Sequence, residues 1–354
     1  MDARQPDDID DVMAQLPLTT EALAERLAKF PRVPLAHLPT PLELCPRFSR
    51  AIGDINVLVK RDDLTGLAFG GNKTRQLEFV FGEVLRSGAD TIVAGAYTQS
   101  NWCRQITAAA RKFGLDVSLV LAHGVKGPML QGNLLLDRIM GADVTMIDVL
   151  DEELQPHLEA KANALRAQGR KPFLISSFEL ATQSLAALGY VEAVVEIVRQ
   201  LAAMGRTLDH IYVAGSEMSP AGLNFGVKAL GLPTRVVSIS PIAYPEGRAE
   251  EIARIATACA GLLGTNARFD PADIVVDDAY IGEAYGIVSD QGREAMMLLA
   301  RSEGIVLDPV YTSKGMAGLI GHVRRGAITK GANIVFVHTG GLPALFAYAQ
   351  DLGL

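Results

Sequence analysis

Short apolar runs rich in Val and Ile alternate along the chain with longer stretches whose apolar residues recur at helical spacing. Eight runs read as strands: INVLVK from residue 55, DTIVAG from 90, DVSLVLA from 116, ADVTMI from 142, PFLISS from 172, HIYVAG from 210, RVVSIS from 235 and NIVFVHT from 333. Between them, residues 74–86, 101–113, 130–140, 183–204 and 313–324 carry the helical pattern. Strands that alternate with helices in this way predict βαβ units, hence an α/β fold with a mainly parallel sheet. The Pro-rich FPRVPLAHLPTPLE, residues 30–43, precedes the alternation and reads as an extended segment that leads the chain onto the fold.

A chain of 354 residues has room for two ordinary domains or one large α/β unit, and 49% hydrophobic residues with 34 glycines suit a well-filled globular core. A formal charge of -7, with no Lys and Arg cluster, excludes a surface that tracks nucleic-acid phosphates. Cys45, Cys103 and Cys259 are too few and too scattered for a disulfide framework or a zinc site, so a reducing cytoplasm is expected. The N-terminus is acidic and lacks the basic start and apolar run of a secretory signal. No stretch approaches the roughly 18 apolar residues of a spanning helix, so no membrane partner is expected. The histidines form no H-E-x-x-H pattern and the serines no G-x-S-x-G elbow, which argues against a metal centre and a serine hydrolase.

Four polar, glycine-bearing turns follow candidate strands. The first, FGGNK, resembles a phosphate loop, but Asn72 separates Gly71 from Lys73 where the P-loop pattern needs lysine at once. Lys73 stands at a helix start, where the helix dipole disfavours a cation, so it is either a solvated surface lysine or one whose amine does chemistry. The second, GAYTQSNWCRQ, places Ser100 and Asn101 as helix caps or as donors to an anionic ligand. The third, YVAGSEMSPAGLNFG, offers Gly215, Ser216, Ser219 and Gly222 for close backbone approach to a phosphate. In the fourth region, Thr339 sits in HTGG, and Tyr311 and Thr312 lie in PVYT before a helix. Such turns at strand ends suggest convergence on one crevice, and a covalent cofactor is the best use of Lys73.

Taken together, KRDDLTGLAFGGNKTRQLEF, ADTIVAGAYTQSNWCRQITAAARKFGL, LAALGYVEAVVEI, AGSEMSPAGL, AYGIVSDQGREAM, GIVLDPVYTSKGMAGLI and HTGGLPALFAY resemble the aminocyclopropanecarboxylate deaminase and D-cysteine desulfhydrase family. These are pyridoxal-phosphate enzymes with the tryptophan synthase β-subunit fold, and the likeness runs from Pro34 to Tyr348. The resemblance implies two domains with open, mainly parallel twisted sheets, and pyridoxal 5'-phosphate in the cleft between them. The larger domain would comprise residues 1–76 and 181–354, with 1–33 an N-terminal extension, and residues 77–180 would form a smaller insertion.

By the same carry-over, Lys73 would hold the cofactor covalently and move the Cα proton, with Asn72 beside it. Asn101 would bond the 3'-oxygen, and the turn with Gly215, Ser216, Ser219, Ala221 and Gly222 would hold the phosphate. Thr339 would face the pyridine nitrogen. Ser100 would meet the substrate carboxylate or shuttle a proton, and Tyr285 and Tyr311 would flank the reacting amino acid as acid or base, unless they are core tyrosines. The expected activity is α,β-elimination on a small β-substituted amino acid, desulfhydrase-like or cysteate sulfo-lyase-like, releasing pyruvate and ammonia from a cytoplasmic homodimer. Ring-opening deaminases of the family carry glutamate where this chain has Thr312, so aminocyclopropanecarboxylate deamination is the alternative; a non-catalytic cofactor-binding or amino-acid-binding protein is another.

The chain departs from the family pattern around the expected cofactor. Trp102, its only tryptophan, stands where relatives have histidine or glutamine; Gln76 replaces a basic residue often found after NKTR; and Glu217 adds an acid to the phosphate turn. A bulky indole should reshape the pocket, so Trp102, with the loop near Phe178 and Glu179, is expected to shift substrate preference away from D-cysteine.

Overall fold

The computed structural model describes residues 14–150, 153–243 and 247–353. The acidic beginning of the N-terminal extension therefore lies outside the described residues. In chain order the strands are β1 (Leu42–Leu44), β2 (Asn56–Lys60), β3 (Thr91–Tyr97), β4 (Asp116–Ala122), β5 (Asp143–Ile147), β6 (Pro172–Leu174), β7 (His210–Ala214), β8 (Arg235–Ile239), β9 (Val275–Asp277) and β10 (Asn333–Val337). The helices are α1 (Thr20–Ala28), α2 (Pro46–Ile52), α3 (Asn72–Arg86), α4 (Asn101–Lys112), α5 (Gly132–Ile139), α6 (Leu154–Ala167), α7 (Leu180–Ala203), α8 (Met218–Ala229), α9 (Arg248–Leu262), α10 (Asp290–Glu303), α11 (Thr312–Arg324) and α12 (Leu342–Ala347).

Two sheets organise these elements. One has six strands in the order β1-β2-β10-β7-β8-β9, parallel except for antiparallel β1; the other has four parallel strands in the order β5-β4-β3-β6. All eight apolar runs form strands. They are legible because helices cover both faces of a parallel sheet, so its strands are near-continuous apolar segments; Val57, Val59, Ile211, Val213, Ile334 and Val337 are wholly buried. β1 and β9, three residues each, carry no such run.

Helix α3 joins the two halves. Its Arg75 is buried between Asp62, after β2, and Glu196, on α7: Nε donates to Asp62 Oδ2 at 2.9 Å and Nη2 to Glu196 Oε2 at 2.8 Å. Lys60 Nζ reaches the same Glu196 oxygen at 2.7 Å, and the Tyr190 hydroxyl donates to Asp62 at 2.9 Å. Burial alone would raise the Asp62 carboxyl, but Arg75 beside it holds it below its ordinary value. The Pro-rich segment is docked on the same helix, where Glu78 accepts the backbone N–H groups of Leu35 and Ala36 at 2.8 Å each. The boundary placed at residue 77 falls inside this continuous helix, whereas residue 180 begins α7.

Among the described residues, no helix is long and apolar enough to cross a membrane, and no group of three or more His, Cys, Asp or Glu could hold a metal ion. All three cysteines are buried thiols.

Candidate active site

A cavity of about 510 Å³ opens at the carboxyl ends of the parallel strands. Turns after β2, β3, β6, β7, β8 and β10 all contribute to its wall, which is where ligands bind in open α/β sheets. That volume suits a small cofactor together with a small substrate.

Lys73 is the second residue of α3, and the preceding turn is shaped by close backbone contact. Gly71 has φ 122° and Gly340 φ 92°; a Cβ on Gly340 would lie 2.6 Å from Gly71 Cα. Only glycine satisfies both the left-handed backbone and this spacing. The contact lets Asn72 N–H donate to the Thr339 carbonyl at 2.9 Å, which fastens the β10–α12 turn beside the lysine. The cavity wall encloses the Lys73 amine; burial pushes it down to about 8, partly offset by the Glu217 carboxylate. Its Nζ lies 5.4 Å from the centre of the Trp102 ring.

Ser100 caps α4 by accepting Cys103 N–H at 3.1 Å, while its residue also lines the cavity. Both sequence readings of Ser100 are thus compatible: the cap uses a lone pair and leaves the hydroxyl proton as a donor. Asn101 follows. Its side-chain Oδ1 accepts from Arg104 Nη1 at 3.0 Å and Asn133 Nδ2 at 3.1 Å, so the side-chain N–H groups are the part that faces a ligand. Trp102 is 6% exposed and packs into the core of the four-stranded half while lining the cavity.

On another wall, the Tyr285 and Tyr311 hydroxyls hydrogen-bond to each other, with ring centres 5.8 Å apart and nearly perpendicular. Asp308 holds the Tyr311 turn by accepting its N–H at 2.9 Å. Thr312 is wholly buried and donates its hydroxyl to Asp308 at 2.6 Å, so it is absent from the cavity wall.

The turn after β7 brings Gly215, Ser216 and Ser219 to the cavity. Ser219 Oγ accepts from Asn72 Nδ2 at 3.1 Å and from Gln76 Nε2 at 3.0 Å, and Ser216 Oγ meets Ser240 Oγ at 3.0 Å. Ala221 and Gly222 do not line it. Ala221 N–H is spent on the Glu217 carbonyl at 3.0 Å, and a Cβ at Gly222 would lie 2.2 Å from the Ala187 carbonyl oxygen, so this glycine serves the packing of α8 on α7. The cavity also gathers residues to which no chemistry was attached from the sequence, chiefly Tyr97, Gln183, Arg248 and Glu251. Arg248 was within reach of the strand-to-helix rule, because RVVSIS is a strand and Arg248 opens the helix that follows it.

These residues fit pyridoxal phosphate. An enclosed amine is available to its aldehyde, neutral amide and hydroxyl donors line the wall, and the first turn of α8 offers positive dipole to a phosphate. Lys314, which burial also lowers to about 8, donates to the Ala284 carbonyl at 3.0 Å and is not part of the wall.

Comparisons with known proteins agree. Residues 33–340 match the family model described as pyridoxal-phosphate dependent enzyme. A 1-aminocyclopropane-1-carboxylate deaminase from Burkholderia vietnamiensis (strain G4 / LMG 22486) is 39% identical over 332 residues, which is 92% of this chain and 98% of the relative. One from Burkholderia ambifaria (strain MC40-6) is equally similar, at 39% over 332 residues and the same 92% and 98% coverage. A solved ACC deaminase homologue superposes with TM-score 0.85 at 36% identity, covering 94% of this chain and 98% of its own. Threonine deaminase isoform 2 from Solanum lycopersicum shares the fold, with TM-score 0.64 at 18% identity over 97% and 91% of the two chains. The chain belongs to the pyridoxal-phosphate-dependent enzymes, as a lyase of the aminocyclopropanecarboxylate deaminase and D-cysteine desulfhydrase family with the tryptophan synthase β-subunit fold.

Proposed function

We propose that this enzyme deaminates a small α-amino acid to a 2-oxoacid and ammonia, with 1-aminocyclopropane-1-carboxylate as the first substrate to test. The observation that carries the reading is the enclosed Lys73 amine in one cavity with the paired Tyr285 and Tyr311 hydroxyls. The names of the 39%-identical relatives support the ring-opening substrate over the β-elimination expected from the sequence. When bound, the cofactor withdraws electrons from the substrate Cα. Lys73 anchors the cofactor and carries the substrate proton; Asn101 donates to the cofactor's oxygen; Ser100 donates to the substrate carboxylate at the positive end of α4. Thr339, beside Asn72, meets the pyridine nitrogen with a neutral hydroxyl. In the tyrosine pair one phenol stabilises the other as it gives up a proton, which suits delivery or removal of a proton at Cβ.

A second reading, elimination from a β-substituted amino acid, is favoured by Thr312. Its hydroxyl is turned into Asp308, so this position brings no acid to the cavity. Incubating the cofactor-loaded protein with 1-aminocyclopropane-1-carboxylate, D- and L-cysteine, L-cysteate, D-serine and β-chloroalanine separates the two. 2-Oxobutyrate from the cyclopropane supports ring opening; pyruvate from a β-substituted compound, with no 2-oxobutyrate, replaces it by elimination; silence throughout removes both. In the same panel Trp102→His should reorder the preferences, and an unchanged order would remove Trp102 from substrate selection.

The two sheets support a division into two domains with the cavity between them, residues 77–180 forming the smaller. A homodimer belongs to this reading as well. Ile139 on α5 is 70% exposed and Phe346 on the adjoining α12 is 74% exposed, two large apolar side chains that a second copy would cover. Light scattering should give twice the chain mass of 37.8 kDa, falling to the monomer in an Ile139→Glu, Phe346→Glu variant. A monomeric parent protein would contradict it.

A further inference from the structure

The wall that faces a cofactor phosphate has an unusual charge. The turn after β7 contributes a carboxylate, Glu217, and no cation, while the adjoining Asn72, Ser219 and Gln76 form a neutral network. A phosphate monoester carries roughly -1.5 to -2 charges at neutral pH, so hydroxyls and a helix end alone would leave it facing an acid. Lys73 is occupied at the aldehyde end. Among the described residues lining the cavity, the one other cation is Arg248.

Arg248 is the first residue of α9, the helix that follows β8, and β8 is the sheet neighbour of β7, whose following turn holds Glu217. Its Nη1 stands 3.4 Å from Glu217 Oε1, a long contact for an ion pair. The guanidinium presents its N–H donors in a planar fork, and such forks match the geometry of phosphate oxygens. The neighbouring cation, Arg254, is turned elsewhere, with Nη2 donating to Glu251 at 2.7 Å and to Gln183 at 2.9 Å.

We propose that Arg248 is the phosphate-binding cation of this enzyme, taking over from α9 the charge that Gln76 does not provide on α3, with Glu217 aiming its guanidinium. The inference rests on the pyridoxal-phosphate reading of the cavity. The ligand chemistry is an anionic oxyacid, which a substrate's acidic substituent would share, so the test must separate cofactor from substrate.

The apo protein is titrated with pyridoxal phosphate and, separately, with pyridoxal, which lacks the phosphate. The fluorescence of Trp102 provides the readout, because it is the sole tryptophan and lies 5.4 Å from Lys73 Nζ. Arg248→Ala should weaken pyridoxal phosphate at least about tenfold and leave pyridoxal within about twofold. Arg248→Lys should retain part of the phosphate preference, since charge survives while the fork is lost. Unchanged pyridoxal-phosphate affinity in Arg248→Ala, including a case where only the substrate KM rises, would overturn the proposal. So would equal losses for both ligands, which mark a structural role. Failure of the parent protein to bind either ligand would instead overturn the cofactor reading itself.

Discussion

Lys73→Ala lowers kcat by at least about 10³-fold, because it removes both the covalent anchor and a group that moves the substrate proton. The cofactor still enters the cavity through its other contacts, so binding weakens while turnover is lost. The parent protein should also show a distinctive pH dependence. The protonated amine cannot attack an aldehyde, and burial brings this amine down to about 8. Cofactor capture therefore accelerates as the pH rises toward 8 and levels off above it, whereas an ordinary lysine would continue to gain up to about 10.4. Full turnover in Lys73→Ala, or capture still rising beyond pH 10, would exclude this role.

The second large effect concerns stability. Arg75→Met leaves Asp62 and Glu196 facing a buried apolar side chain, and removing one partner of a buried pair costs about 3–5 kcal/mol. The melting temperature should fall by on the order of 10 °C. Adding Asp62→Asn removes the stranded charge and should recover part of the loss, the coupling expected of direct neighbours. A single variant melting within a degree of the parent protein would show that the network contributes little. Arg75 lies two residues beyond Lys73 on α3, so the same network holds the first turn of the helix that carries Lys73.

The strands were the easiest elements to read, since a strand covered on both faces keeps no polar alternation to obscure it. The short edge strands β1 and β9 lacked that signal, and helical periodicity runs unbroken through residue 77, hiding any boundary inside α3. Around the cavity, residues in turns directly after strands were legible because chain direction alone brings them there. Side-chain direction was not. Thr312 follows Tyr311 in sequence, yet its hydroxyl caps onto Asp308 while the tyrosine lines the cavity. Gly222 shares the phosphate turn's glycine pattern, but its missing side chain serves the contact with Ala187. Arg248 escaped notice because Gly247 stands alone before it, without the cluster of glycines, hydroxyls and amides that marked the other four turns.

Hydride reduction of the cofactor-loaded protein, followed by peptide mass mapping, tests the central assignment most directly. The cofactor's mass should appear on the peptide containing Lys73. Its appearance on Lys314 or Lys60 instead, with Lys73 unmodified, would contradict the assignment of this cavity as the catalytic centre.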